Sequence, residues 1–414
     1  MAAAVVAASG NAKASTFEVL HIFTGAPSDG NGPSSNLLED GSGNLYGTTF
    51  NGGSGCPQWG GCGILFKLAP DGTETVLYNF CTQTNCADGW SPQGNLAEDG
   101  AGNLYGTTVA GGANDSGTVF KVSSSGQETL LYSFCSLANC SDGAFPEGGV
   151  IVDQSGNLYG TTFYGGLQTC DRGCGTAFKV TSTGTESVLY DFCSQANCAD
   201  GEWPLAGLAA DGAGNLYGTT EYGGNVGFAS CGSYGCGTVF EIETNGNEKI
   251  LYSFCIQENC PDGDEPRSGV IANARGYLYG TTFVGGTGTH CAFSFGCGTV
   301  FQVTPDDVER VEYSLCNQNN CADGTNPITG VSIDNKGNLY GTTPSGGSNR
   351  NSEGTLFKIT PKGIEHVLTS FGNRSHGSSP LNSVIADPDG QLYGTTAGGG
   401  DEKCDCGIVF RRHQ

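Results

Sequence analysis

Three features of the sequence predict an all-β fold, a seven-bladed β-propeller with four antiparallel strands per blade. The pentapeptide Leu-Tyr-Gly-Thr-Thr begins at Leu45, Leu104, Leu158, Leu216, Leu278, Leu339 and Leu392. Seven copies at this spacing mark a repeated multi-stranded unit. The chain carries 70 glycines and a single methionine, and is rich in Thr, Val, Leu, Tyr and Phe, which describes short strands joined by tight turns. Finally, the two ends complete each other. Thr16 to Phe23 reads as a strand with no pentapeptide before it, whereas the seventh unit stops at Gly407-Ile408-Val409-Phe410 and lacks its last strand. An N-terminal strand filling that gap closes the ring.

The second unit illustrates the four strands. Strand a is read at Asn95 to Glu98, followed by the turn Asp99-Gly100-Ala101-Gly102, which suits a tight hairpin. Strand b is Leu104 to Val109. A loop opening with Gly111-Gly112 leads to strand c, Gly117 to Val122. The turn Ser124-Ser125-Gly126 then leads to strand d, Thr129 to Phe134. The pentapeptide glycine is expected where neighbouring blades approach too closely for a side chain. The Phe of strand c (Phe66, Phe120, Phe178, Phe240, Phe301, Phe357 and Phe410) is expected to fill the space between blades.

Units of the form G-N-L-Y-G-T-T, then Gly-Gly, then G-T-x-F-K, resemble the tandem repeats called GloVer, found in secreted bacterial proteins. The resemblance covers nearly the whole chain, with Tyr277 and Gln391 in place of the Asn before the pentapeptide. It implies a propeller-like extracellular protein and supplies no catalytic residues. Members of the family often carry an anchoring segment at the C-terminus; this sequence ends at Gln414 without one.

Charge and targeting signals narrow the partners. Acidic residues number 41 against 17 basic, a formal net charge of −24, which repels phosphate backbones and anionic bilayers. Nucleic acid is not expected as a partner. Residues 1–14 hold a short apolar run and an Ala12-Lys13-Ala14 site, read as the remnant of a secretion signal or a flexible leader. Residues 15–414 form one propeller. No run approaches the roughly 18 apolar residues that span a bilayer, and a secreted or cell-surface monomer is expected.

The 20 cysteines fall into ten close pairs. Five pairs lie in the connectors between strand d and the next strand a: Cys81/Cys86, Cys135/Cys140, Cys193/Cys198, Cys255/Cys260 and Cys316/Cys321. The other five lie in b–c loops: Cys56/Cys62, Cys170/Cys174, Cys231/Cys236, Cys291/Cys297 and Cys404/Cys406. The second unit lacks a b–c pair and the sixth lacks both, so cysteines come and go two at a time, as local disulfides require. Convergent zinc thiolates are the rival reading, but they leave Cys135/Cys140 and Cys404/Cys406 without partners. An oxidising compartment follows.

Connectors and b–c loops share one face of this topology, and loops on a rigid scaffold are where function is placed. Each of the first six connectors carries Asp-Gly-x-x-Pro, beginning with Asp29 to Pro33. The aspartates Asp88, Asp142, Asp200, Asp262 and Asp323 are calcium candidates, against the simpler role of closing a turn. His376 takes the Asp position in the seventh.

Specific chemistry belongs where the symmetry breaks, beside the connector prolines: Trp90, Gln93, Phe145, Glu147, Glu202, Trp203, Asp264, Glu265 and Arg267. Aromatic rings beside carboxylates and an arginine suit a sugar, whose C–H face stacks while its hydroxyls take hydrogen bonds. Trp59, Tyr164, Tyr222, Tyr234 and Phe295 are weaker additions. An extracellular module binding glycans or peptides is the first expectation. The second is a polysaccharide-degrading enzyme, hydrolase or lyase, drawing on Glu147, Glu202, Arg267 and His376 or His290. A structural or adhesion role is the third. No G-x-S-x-G, H-E-x-x-H or phosphate-loop motif occurs, and no cofactor other than calcium is expected.

Overall fold

The computed structural model describes residues 16–224, 231–232, 234–291, 296–349, 351–372, 374–387, 390–401 and 403–413. The leader, residues 1–14, and Phe295 lie outside them. Seven antiparallel sheets follow one another around a ring. In the third blade the strands are Val150–Val152, Leu158–Thr162, Thr176–Val180 and Glu186–Asp191. In the second, strand a runs from Trp90 to Glu98 and starts well before the stretch read from the sequence, because Trp90, Pro92 and Gln93 pair with Ala110, Thr108 and Thr107 before a register shift. In blades three to seven this early pairing survives only as single bridges such as Ala144 with Tyr164 and Glu202 with Tyr222.

The ring closes as the chain ends demand. Phe17–Ile22 pairs antiparallel with Ile408–Arg412, with Phe17 opposite Arg412 and Ile22 opposite Ile408. This supplies strand d of the seventh blade and covers the edge that Ile408–Arg412 would otherwise expose.

Each residue of the repeat motif has a physical role. The turn aspartate Asp99 accepts the Asn103 amide at 2.7 Å and the Tyr105 hydroxyl at 2.9 Å, which explains the Asn and Tyr preceding the glycine. Where Gln391 replaces Asn, its amide still reaches Asp387 at 2.9 Å. The first Thr ties one blade to the next: the Thr161 hydroxyl donates to the carbonyl of Ala206 at 2.8 Å, and Thr219 to that of Ser268 at 2.7 Å. The second Thr binds strand c, Thr162 meeting Thr176 at 2.9 Å.

The glycine has a different reason from the one expected. A Cβ on Gly106 would meet Phe120 Cζ at 2.6 Å and Leu96 Cδ2 at 3.0 Å, atoms of its own blade. Gly106 sits opposite Phe120 across the ladder, so the space above it belongs to that ring. The strand-c phenylalanines are buried and do fill the space between blades. Each meets the aromatic residue that ends the preceding strand d, as in Phe80–Phe120 at 5.0 Å, Phe134–Phe178 at 4.9 Å and, across the closure, Phe23–Phe66 at 5.2 Å. Leu315 takes this role against Phe357. Among the described residues, no helix is long and apolar enough to cross a membrane.

Candidate functional site

Connectors and b–c loops are stitched together on one face. In the first six blades the second glycine of the Gly-Gly pair donates its N–H to a connector carbonyl, as from Gly112 to Cys86, Gly166 to Cys140 and Gly224 to Cys198, each at 2.9 Å. A side chain on the first glycine would strike the connector backbone, since a Cβ on Gly111 would lie only 2.6 Å from Gly89 Cα.

All ten cysteine pairs form disulfides as read from the sequence, including Cys404–Cys406, and no described cysteine is free. In four blades the two kinds of disulfide abut. The four sulfurs of Cys231, Cys236, Cys255 and Cys260 all lie within 4.8 Å of one another. The other three blades each gather only three cysteine sulfurs: Cys86 stays outside the group in the first, Cys174 in the third and Cys321 in the fifth. Cys291, Cys297 and Cys316 gather in the same way, whereas Cys321, though bonded to Cys316, stays outside the group and turns its Sγ to the His290 carbonyl at 3.7 Å. Four converging thiolates, which the zinc reading of the cysteines required, are therefore not assembled there.

The connector aspartates close turns. Asp88 Oδ2 accepts from the Tyr78 hydroxyl at 2.7 Å and from the Thr82 backbone at 2.9 Å, while Oδ1 accepts from the Gln83 backbone at 3.2 Å. Asp142, Asp200 and Asp323 repeat the pattern. Asp262 holds Tyr252 and Ile256 through Oδ2 and keeps Oδ1 unpartnered.

The residue before each connector proline has a left-handed backbone at all seven positions: Gly32, Ser91, Phe145, Trp203, Glu265, Asn326 and Ser379, with φ between 50° and 65°. That conformation costs a non-glycine residue roughly 1–2 kcal/mol. It is held by an N–H donated to the end of the preceding b–c loop, from Phe145 to Ser116 at 2.8 Å and from Trp203 to Cys174 at 2.9 Å. One strained backbone position therefore presents five kinds of side chain, Ser, Phe, Trp, Glu and Asn, at six of its seven occurrences.

Blades three to five bring the predicted residues together. Arg267 pairs with Glu221 and with Glu265, both at 2.8 Å, and its guanidinium lies 3.8 Å from the Phe283 ring centroid. Gln93, Glu147 and Arg267 line a central cavity of about 210 Å³, floored by the backbone of Gly148, Gly207 and Gly269. Burial and the Glu221 charge push the Glu147 carboxyl up to about 7. Burial, with the Glu265 charge, does the same to Asp264. Glu202 is also raised to about 7 by burial, but it sits beneath a disulfide, 2.9 Å from Cys170 Sγ. A carboxyl that keeps its proton can donate to that sulfur.

Beside the charges runs an aromatic ridge. Phe145 meets Tyr164 at 5.9 Å, Phe163 lies 5.6 Å from Trp203, and Trp203 meets Tyr222 at 5.6 Å and Tyr234 at 6.3 Å. Trp203 and Tyr234 are inclined by only 26°, and Tyr234 is 60% exposed. The Tyr222 hydroxyl reaches Glu265 at 3.4 Å, joining ridge to charges.

Other predicted residues sit apart from this cluster. Trp90 packs on Trp59 at 6.2 Å and donates to Asp115. His376 packs against Phe17 of the closing strand at 4.9 Å, and His290 meets Thr289. Glu221, Phe163 and Phe283 escaped the sequence reading. All three follow the pentapeptide directly, in the slot held elsewhere by Phe50, Val109, Pro344 and Ala397. Symmetry breaking applied to that slot as well would have found the lone charge, Glu221.

Comparison with solved structures returns distant chains. A protein from Thermus thermophilus assigned as an oxidoreductase (glucose dehydrogenase) shares 14% identity at TM-score 0.44, covering 96% of this chain and 100% of that one. A luciferin-regenerating enzyme shares 12% at TM-score 0.43, covering 97% and 95%. A protein assigned as a gluconolactonase shares 11% at 0.38, covering 72% and 80%. No activity is carried over from them. No curated protein matches. The model of the Gloeobacter/Verrucomicrobia repeat, in contrast, matches residues 10–230 and 226–414, so that this seven-bladed chain belongs, from its first blade to its last, to the Gloeobacter/Verrucomicrobia repeat family.

Proposed function

We propose that this protein is an extracellular glycan-binding module whose site is the ridge Phe145, Phe163, Tyr164, Trp203, Tyr222 and Tyr234 together with Glu265, Arg267 and Glu147. The observation that carries this reading is the near-parallel Trp203–Tyr234 pair, half-buried at Trp203 and exposed at Tyr234, beside an arginine held between two carboxylates. A pyranose stacks its C–H face on such rings while its hydroxyls meet the charged groups. The net charge of −24 disfavours polyanions, so the preferred ligands are neutral polysaccharides. Ten disulfides fit an oxidising compartment.

The test follows protein and polymer together by size-exclusion chromatography across a panel of neutral plant and microbial polysaccharides. Co-elution with intact polymer is expected, with affinity falling at least tenfold, roughly 1.4 kcal/mol, in Trp203→Ala and Tyr234→Ala. Undiminished retention by the double variant would overturn the proposal, and retention of peptides alone would transfer the ridge to a peptide ligand. A second reading, cleavage of the bound glycan, is favoured by the raised Glu147 carboxyl facing the cavity. It predicts that the polymer shortens and that Glu147→Gln stops this while sparing retention.

A further inference from the structure

The seventh strand d, supplied by the N-terminus, differs from the others at one chemically telling slot. In five blades that slot holds a tyrosine donating to the connector aspartate, from Tyr78–Asp88 at 2.7 Å to Tyr313–Asp323 at 2.8 Å. In the closing strand it holds His21, with Nε2 3.5 Å from Asp29 Oδ2. Glu74, the first residue of strand d in the first blade, completes a triad, and the ligand atoms of His21, Asp29 and Glu74 all lie within 4.8 Å of one another. His21 Nε2 and Glu74 Oε1 are buried and have no hydrogen-bond partner. The Oε1 atoms of Glu128, Glu186, Glu248, Glu309 and Glu365 are unpartnered in the same way, so the imidazole sets this blade apart: a buried nitrogen without a hydrogen-bond partner, facing a buried carboxylate, is costly unless something occupies the space between them.

We propose that His21, Asp29 and Glu74 form a zinc site that latches the closed ring. One imidazole and two carboxylates suit zinc, and ligands at zinc bond lengths in a tetrahedron stand about 3.3–3.6 Å apart, which the His21–Asp29 separation matches. The carboxylate of Asp29 is already oriented. Its Oδ2 accepts from the Thr24 backbone at 2.7 Å and the Thr24 hydroxyl at 3.0 Å, and its Oδ1 from Gly30 at 2.6 Å, the outer hydrogen bonds that fix a metal-binding carboxylate. The three ligands come from the closing strand, its connector and the first blade. The ion ties together the pieces that must meet for the ring to shut, and water fills the fourth position.

The experiment uses full-length protein with its disulfides intact, stripped with EDTA and titrated with zinc chloride by calorimetry, with melting followed in parallel. The expected result is one zinc per chain and a zinc-dependent rise in Tm. Both should be lost in His21→Tyr, which installs the residue used by five other blades and so should fold, and affinity should fall at least tenfold in Glu74→Gln. Failure of the wild-type chain to take up zinc at millimolar concentration overturns the proposal. So does a folded His21→Tyr variant that binds zinc with unchanged affinity.

Discussion

Six residues before a connector proline accept a left-handed backbone without being glycine, and they do not do so for the same benefit. Trp203 and Glu265 turn their side chains to the ridge and the arginine cluster. Ser91 gains nothing comparable: it is buried, and its hydroxyl has no partner. Ser91→Gly should therefore stabilise the protein by about 1 kcal/mol, relieving the backbone strain and removing an unsatisfied polar atom. A shift in the urea midpoint at unchanged slope measures this. A destabilised variant would mean that the serine is held by something other than its connector.

Strands carry a second ring of charge. Every strand d of the first six blades begins with a glutamate, Glu74, Glu128, Glu186, Glu248, Glu309 and Glu365, set close to the aspartate of the preceding connector. Burial, reinforced by those aspartates, pushes Glu128, Glu186, Glu248 and Glu365 up to about 7 and Glu309 to about 8. Between the ordinary value of 4.5 and about 7 the folded chain holds more protons than the unfolded one, so raising pH favours unfolding. Their contribution is fully present below 4.5 and is lost as pH climbs through 7 to 8. The turn aspartates act in the opposite sense. Burial works against the charge of Asp99, but hydrogen bonds from Asn103 and Tyr105 hold it down to about 2, and that contribution is lost as pH falls through this value. Thermal melting should show a higher Tm at about pH 5 than at about pH 8, with the difference reduced in Glu309→Gln. Equal Tm values at the two pH values would refute the assignment.

At the scale of the molecule, closure depends on one strand. Removing residues 1–24 would leave Ile408–Arg412 as a bare edge and take away Phe23 from its contact with Phe66. An open edge invites pairing with another chain. The truncated protein should lose several kcal/mol of stability and self-associate, visible as a broadened melt and a larger mass by light scattering. A monomer with an unchanged melt would show that the ring holds without its clasp.

How much of this was legible follows from how each feature arises. The pentapeptide disclosed the architecture because the blades solve one packing problem with the same residues: a glycine beneath a phenylalanine in all seven, an aspartate that gathers Asn and Tyr in five, and a threonine hydroxyl that reaches the next blade in four. The disulfides were legible because their partners are sequence neighbours. How they abut was not: that four cysteine sulfurs gather in the fourth blade but three in the first, third and fifth is a matter of how connector and loop fold over each other. Trp203 and Arg267 were legible as breaks in the repeat, yet Glu221 and Phe283, which complete the cluster around Arg267, were not. They sit in a slot read as ordinary strand: Phe283 meets the connector of its own blade, its N–H donating to the Glu265 carbonyl at 2.9 Å, and only the turn of the ring sets Glu221 of the preceding blade beside that connector. The strained backbone at Phe145 and Trp203 runs against local preference, so no local reading anticipates it.

By itself the sequence determined the number of blades, the strand order, the manner of closure and the pairing of the cysteines, because those follow from local periodicity and turn chemistry repeated along the chain. Only the tertiary structure decided which side chains share a site. The ridge from Phe145 to Tyr234, the Arg267 ion pairs and the meeting of His21 with Asp29 and Glu74 unite residues from different blades or from the ring's closure. Their distances are set by the curvature of the whole ring, a quantity that no single repeat contains.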